Sequence, residues 1–173
     1  MGSATAVGYR HHRANAAQRA VQSVAATRPG AWTFARVLPP VDRVLHRLSK
    51  GRTTVPQVLA GLPVVMVTTT GRRSGRPRTA PLVAVPLGDD LALLGTNFGG
   101  PSTPGWVWNL EAEPYASVSF EGRTCAVHAR PADDDERAEV WSAADGVYPG
   151  YARYRSRVIR REIRIFVLEV AAG

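Results

Sequence analysis

The sequence predicts a mainly β, α+β chain: a small antiparallel barrel of about six strands with short helices around it. Two observations predict this class. From residue 62 onward, short strand-like runs recur, the first rich in β-branched residues, with turns at Gly71, Gly88-Asp89-Asp90 and Glu121-Gly122. No regular crossover helices separate those runs, which argues against a doubly wound parallel sheet. The size agrees. The chain has 173 residues, 45% hydrophobic and 21% charged, with a single cysteine. That is one ordinary globular domain with room for an appendage, and it excludes a disordered chain, a coiled coil and a disulfide scaffold.

Taken in order, residues 13–28 carry Ala17, Ala20, Val21 and Val24 at i, i+3, i+4, i+7, one narrow apolar stripe on a helix. Residues 32–48 carry a stronger one through Phe34, Val37, Leu38, Val41, Val44, Leu45 and Leu48, interrupted at Pro39-Pro40, where proline lacks a donor and clashes with the preceding turn. Residues 63–70 read as a strand ending at Gly71. Residues 79–87 and 91–96 read as the next two, joined by Gly88-Asp89-Asp90. A short helix is expected over 104–112, between Pro104 and Pro114. Residues 115–120 and 123–130 form a hairpin about Glu121-Gly122. Asp133-Asp134-Asp135 opens a helix over 133–144, its carboxylates opposing the helix dipole, with Val140 and Trp141 turned inward. Residues 148–161 become helical after Pro149. Residues 163–170 close the sheet, with Ile163, Ile165 and Val167 alternating with arginine and larger groups.

Two parts follow: a basic helical arm over 1–52 and a barrel over 53–173. The net charge is +8, and it belongs to the arm. Residues 1–60 hold Arg10, Arg13, Arg19, Arg28, Arg36, Arg43, Arg47, Lys50 and Arg52 against Asp42, while the rest of the chain balances to zero. Such an arm suits an anionic partner. No recognition-helix or RNA-binding motif is present, so nucleic acid is not expected. Trp32, Phe34, Val37 and Leu38 with flanking arginines look like an interfacial helix for an anionic membrane surface, or equally a stripe that packs on the barrel. The longest uncharged run, between Arg52 and Arg72, contains prolines and glycine and does not read as a spanning helix. With no apolar signal-peptide core and one cysteine, the expected location is the cytoplasm, peripheral to the inner face of the cell membrane if the arm docks there.

Three clusters could carry chemistry. The loop Gly71-Arg72-Arg73-Ser74-Gly75-Arg76-Pro77-Arg78 pairs two glycines, which let backbone N–H groups approach an anion, with four arginines that can fork onto phosphate or carboxylate. It lacks the Gly-Lys-Ser/Thr ending of a P-loop, and a solvated basic turn is the plain alternative. Thr96-Asn97-Phe98-Gly99-Gly100 and Gly105-Trp106-Val107-Trp108-Asn109 could wall a flat aromatic ligand, or simply pack. Tyr148, Tyr151 and Tyr154 share a helical face and could orient or protonate a substrate, or form an amphipathic stripe. His11, His12, His46 and His128 have no metal-ligand spacing with Cys125, so no metal is expected. Cys125, mid-strand, reads as a small hydrophobe rather than a nucleophile.

In register, Thr68-Thr69-Thr70-Gly71-Arg72-Arg73-Ser74-Gly75-Arg76-Pro77-Arg78-Thr79-Ala80-Pro81-Leu82 resembles the signature of the deazaflavin-dependent nitroreductase family, which includes F420H2-dependent quinone reductases. So do Pro104-Gly105-Trp106 with Asn109-Leu110 and Pro114, Tyr148-Pro149-x-Tyr151 with Tyr154, and the closing Arg161-Glu162-Ile163 with Phe166-Val167-Leu168-Glu169. The resemblance covers residues 30–170. It implies a split β-barrel of the FMN-binding type that uses reduced coenzyme F420, a polyanionic deazaflavin, as hydride donor to a quinone or another electron-poor acceptor, nitroaromatics in some members. It places tail and phosphate contacts on Arg72, Arg73, Ser74, Arg78, Thr79 and Ala80. Ring-side contacts fall on Leu94, Gly95, Thr96, Asn97, Gly105, Trp106, Val107, Trp108, Asn109 and Tyr151. The catalytic, substrate-side tyrosines are Tyr148, Tyr151 and Tyr154. Two departures stand out: Thr96-Asn97 replaces a common Ser-Lys pair, and Arg73 stands where lysine is frequent. Two other readings remain at this stage: a split barrel that binds flavin, haem or a lipid without F420 activity, and a non-enzymatic module using its basic arm. The physiological acceptor, and whether the chain is a monomer or a homodimer, are left open.

Overall fold

Six strands, β1 (Val64–Thr70), β2 (Pro77–Leu87), β3 (Asp90–Leu94), β4 (Tyr115–Phe120), β5 (Arg123–Pro131) and β6 (Ile165–Val170), close into a barrel in the computed structural model. Their order around it is β1-β2-β3-β6-β5-β4, and every neighbouring pair is antiparallel. The structure describes residues 1–10, 15–25, 27 and 61–171. The helix expected over 32–48, with Trp32, Phe34, Val37 and Leu38, lies outside the described residues, as do His11, His12 and His46.

Among the described residues, five α-helices accompany the strands: α1 (Ser3–Val7), α2 (Ala16–Ala25), α3 (Gly105–Ala112), α4 (Asp134–Val147) and α5 (Gly150–Arg157). The β4–β5 hairpin turns at Glu121-Gly122, both with positive φ, the backbone that a right-twisted two-residue turn demands. The cap of α4 is a full capping box. Asp133 accepts from the Glu136 N–H and Glu136 accepts from the Asp133 N–H, so two of the orphan donors at the helix start are satisfied.

Side chains alternate between two cores. Val65, Val67, Ala84, Leu91, Leu93, Val118, Val127, Phe166 and Leu168 fill the barrel interior. Val64, Val85, Ala92, Leu94 and Ile165 face outward under α4 and α5, against Val140, Ala144 and Val147. Strands covered on both faces read as unbroken apolar runs. That corrects the expected alternation at the last strand: Ile165, Phe166, Val167 and Leu168 are all buried.

Each end of the barrel is plugged by a helix. β1 and β3 run the same way, because each is antiparallel to β2. At the start of β3, α1 pushes Val7 into the interior core. Its Ala4 N–H donates to Asp89 O, its Ser3 N–H to Asp90 Oδ1, and its Ser3 Oγ accepts from the Leu91 N–H at 3.0 Å. At the opposite end, α3 inserts Val107 and Leu110, and a Cβ on Gly95, just after β3, would come within 2.9 Å of Val107.

β2 changes partner halfway, pairing with β1 up to Val83 and with β3 from Ala84. Two tyrosine hydroxyls meet the carbonyls at this seam. Tyr151 of α5 donates to Val83 O at 3.0 Å, and Tyr9, following α1, donates to Ala84 O at 2.8 Å. The helix α2 also differs from expectation. It rests on the outer core through Val21, and Gln22 is buried, while Val24 of the expected stripe is 61% exposed. Its start is set by Asn15 and Gln18, which exchange side-chain and backbone hydrogen bonds and so satisfy two of the orphan N–H groups.

Candidate functional site

The predicted binding residues gather at the α3 end. Gly71 starts the β1–β2 loop: its O accepts from the N–H groups of Ser74 and Gly75, and its N–H donates to Arg76 O. A Cβ at Gly71 would stand 2.8 Å from Ser74 Oγ, so the tight turn needs glycine there. Arg72, Arg73, Ser74, Arg76, Arg78 and Thr79 are exposed. The described ion pairs involve Arg130, Arg137 and Arg164. Among the described residues, no carboxylate pairs with Arg72, Arg73, Arg76 or Arg78. Four neighbouring guanidinium groups repel one another unless an anion lies among them.

Asn109 ties this loop to α3. Its Oδ1 accepts from the Arg72 N–H at 3.1 Å, and its Nδ2 donates to Thr69 Oγ1 at 2.9 Å. Trp108 sits beside two cations, with the Arg72 and Arg164 guanidinium carbons 5.1 and 5.8 Å from its ring centroid. Trp106 packs edge-on against Phe166. The Val107 side chain points into the barrel and Leu94 into the outer core, so these two border the site by backbone alone. Ala80 is the register partner of Val67.

After β3, the chain makes a 3-10 turn over Asn97–Gly99. Asn97 and Phe98 both have left-handed backbone, φ 49° and 55°, a conformation costing non-glycine residues about 1–3 kcal/mol each. Arg161 holds the turn. Its guanidinium donates to Gly95 O at 2.9 Å, Thr96 O at 2.9 Å and Gly100 O at 3.2 Å, while its buried Nε has no partner. Burial, and after it the neighbouring Arg164, pull the Arg161 guanidinium below the ordinary arginine value.

Tyr148, Tyr151 and Tyr154 are brought together, each 4–5% exposed, with ring centroids 5.7 to 6.4 Å apart. The hydroxyls of Tyr148 and Tyr154 are 3.1 Å from each other, and Tyr151 serves the β2 seam. Burial pushes all three phenols above their usual value, which makes them weaker acids near neutral pH. Tyr154 reaches furthest toward the turn, meeting Phe98 edge-on at 6.3 Å. Cys125 lies opposite Val118 on β5, and burial, then Asp90, push its thiol up, as expected of a hydrophobe.

A family model described as F420H(2)-dependent quinone reductase matches residues 42–170. The chain belongs to the F420H(2)-dependent quinone reductase family. An F420H(2)-dependent quinone reductase of Mycobacterium tuberculosis is 30% identical over 101 residues, 57% of this chain and 68% of that one. The solved structure of an F420-H2 dependent reductase, FDR-A, is 34% identical with a TM-score of 0.57, covering 62% of this chain and 94% of that chain. The solved structure of a domain-swapped dimer is 30% identical with a TM-score of 0.59, covering 82% of this chain and 99% of that one. The barrel and the oxidoreductase class expected from sequence both stand with these relatives.

The donor set fits the coenzyme of this family. Exposed arginines without carboxylate partners among the described residues suit its anionic tail, and half-buried Asn109 keeps a second amide hydrogen, beyond its bond to Thr69, for a polar ring edge. Among the described residues, no helix is long and apolar enough to cross a membrane, and no group of three or more His, Cys, Asp or Glu could hold a metal ion. Sequence reasoning missed Arg161. Its side chain acts on carbonyls some sixty residues away in the chain, and no local spacing signals that. Phe98 did carry a signal: it is the large residue ahead of the Gly99-Gly100 pair.

Proposed function

We propose that this protein reduces a quinone-type acceptor with reduced F420 at the α3 end of its barrel. The observation that carries this reading is the arginine loop, four exposed guanidinium groups without carboxylate partners among the described residues, tied by Asn109 to the helix that carries Trp106 and Trp108. Arg72, Arg73, Ser74 and Arg78 would hold the coenzyme's anionic tail, with Thr79 and Ala80 beside them. Gly95, Thr96 and Asn97, together with Gly105 to Asn109, would flank its ring. When bound, the reduced coenzyme supplies a hydride and a proton, so that reduced F420 and a quinone give oxidised F420 and the quinol with atoms and electrons in balance.

The protein's part is to hold two flat partners in contact, which is catalysis by proximity and orientation. Tyr154, nearest the Phe98 turn, places the acceptor oxygen, and Tyr148 and Tyr151 support it from behind. With their acidity lowered by burial, these phenols orient rather than supply the proton. Electron-poor nitroaromatics are a second acceptor class for the same geometry. Quinones dissolve in membranes, and the basic residues of the first sixty would keep the enzyme near an anionic lipid surface.

The test is a fluorescence titration of the full chain with F420, with FMN in parallel. Binding of F420 in the micromolar range or tighter is expected. Arg73→Ala with Arg78→Ala should weaken it roughly tenfold to a hundredfold, the scale of lost charge-assisted hydrogen bonds. Tight FMN binding with none of F420 would move the protein to a flavin-binding barrel.

A further inference from the structure

We propose that Phe98 is the platform on which the acceptor ring stacks, and that Arg161 is the positioning residue that holds it in place. This rests on the reading of the site as a quinone reductase and names which residues select the acceptor.

Phe98 is a large apolar ring left 41% exposed beside three tyrosines that are 4–5% exposed. Among the described residues its one ring contact is Tyr154. Folding alone does not ask for phenylalanine there. At φ 55°, following Asn97 at φ 49°, glycine would sit without strain. A strained non-glycine residue with an uncovered aromatic side chain points to function rather than packing.

The strain persists because Arg161 over-determines the turn. One guanidinium bridges Gly95 O, Thr96 O and Gly100 O, and Asn97 Nδ2 donates to Ser102 O and Oγ. The planar fork spreads these bonds over two nitrogens, Nη1 to Gly95 O and Nη2 to Thr96 O and Gly100 O, which the single nitrogen of lysine does not reproduce. The turn so fixed stands between the two halves of the site. Gly95 lies against Val107 of α3, and Gly99 against Tyr154 and Arg157 of α5. Phe98 is thus held where a flat, electron-poor ring would pass between the coenzyme-side walls and Tyr154.

The experiment follows oxidation of reduced F420 by menadione, using the full chain and its variants. Phe98→Ala should raise KM for menadione roughly three- to tenfold, the worth of one aromatic stacking contact. Both kcat and the F420 dissociation constant should change by less than about twofold. Phe98→Tyr should restore KM. Phe98→Gly should lose the same affinity yet melt at a higher temperature than Phe98→Ala, since only glycine relaxes at this φ. Arg161→Lys keeps the charge and loses the fork. It should raise KM as Phe98→Ala does, and the double variant should be no worse than either alone, because both act on one contact. Unchanged KM in Phe98→Ala, with the wild type turning over, overturns the platform. Additive effects in the double variant overturn the clamp. A wild type that binds F420 but leaves menadione unreduced overturns the reading of the site and this inference together.

Discussion

α1 and α3 close opposite ends of the same barrel, each by pushing apolar side chains into it: Val7 from one, Val107 and Leu110 from the other. What surrounds the plugs differs. At the α1 end Ser3 is fully buried and both its hydroxyl and its N–H are engaged by the start of β3, while the Tyr9 hydroxyl satisfies Ala84 O. At the α3 end stand a loop of exposed arginines, two consecutive left-handed non-glycine residues and a buried guanidinium nitrogen with no partner. At the α1 end the buried polar groups are paired and the packing serves stability. The strain gathered at the α3 end has no such structural return, which is what the proposed ligand site would account for.

The strongest way to break this comparison is to delete residues 1–9. Losing buried Val7, Ser3 and the Tyr9 ring on Phe120 should cost more than about 3 kcal/mol, or roughly 10 °C in Tm for a chain of this size. Below that temperature, the F420 dissociation constant should stay within about twofold of the full chain, as expected for independent sites. An unchanged Tm would show that the α1 end is no stabilising plug. A lost F420 affinity would show that the ends are coupled.

The two ends were unequally legible in the sequence. The arginine loop is one contiguous stretch, as are Asn109 and the tryptophans, and the β-branched run of β1 and the hairpin at Glu121-Gly122 place the strands around them. The plug was not legible. Ser3 to Val7 is a short, small-residue segment whose helix is stabilised by tertiary contacts with Asp89, Asp90 and Leu91 rather than by its own pattern. The same is true of Arg161, which satisfies carbonyls distant in sequence. Periodicity reports a face that is buried and is silent about which distant backbone group meets it. Hence the tyrosines, correctly grouped by spacing, carried no sign that the Tyr151 hydroxyl would serve the β2 seam.

That grouping can be sharpened by separating two of its members. Tyr151→Phe removes the donor to Val83 O and should cost about 1 kcal/mol, the worth of one hydrogen bond, with kcat nearly unchanged. Tyr154→Phe should instead lower kcat up to roughly tenfold, the worth of one orienting hydrogen bond, while F420 binding survives. Rate assays and thermal melts on the two variants check this. Full rates in Tyr154→Phe would remove the acceptor-orienting role.

The smallest effect contrasts Arg161 with a cation that does have carboxylate partners. Arg130 donates to Glu136 and to Glu169, fixing the start of α4 to β5 and β6. The Arg130 hydrogen bonds first, and the Asp133 N–H second, hold the Glu136 carboxyl down at about 2 against an ordinary 4.5. A carboxyl lowered by folding stabilises the fold above its unfolded value, and that stabilisation drains away as the pH falls from about 4.5 toward 2. Because the Arg130 side chain is 35% exposed, solvent screening limits the term to about 1 kcal/mol. Glu136→Gln should therefore melt slightly below the wild type at neutral pH, and the gap should close through that acid window. A gap that stays constant down to the acid end would mean that packing, not charge, anchors α4 here, and the contrast with Arg161 would then concern geometry alone.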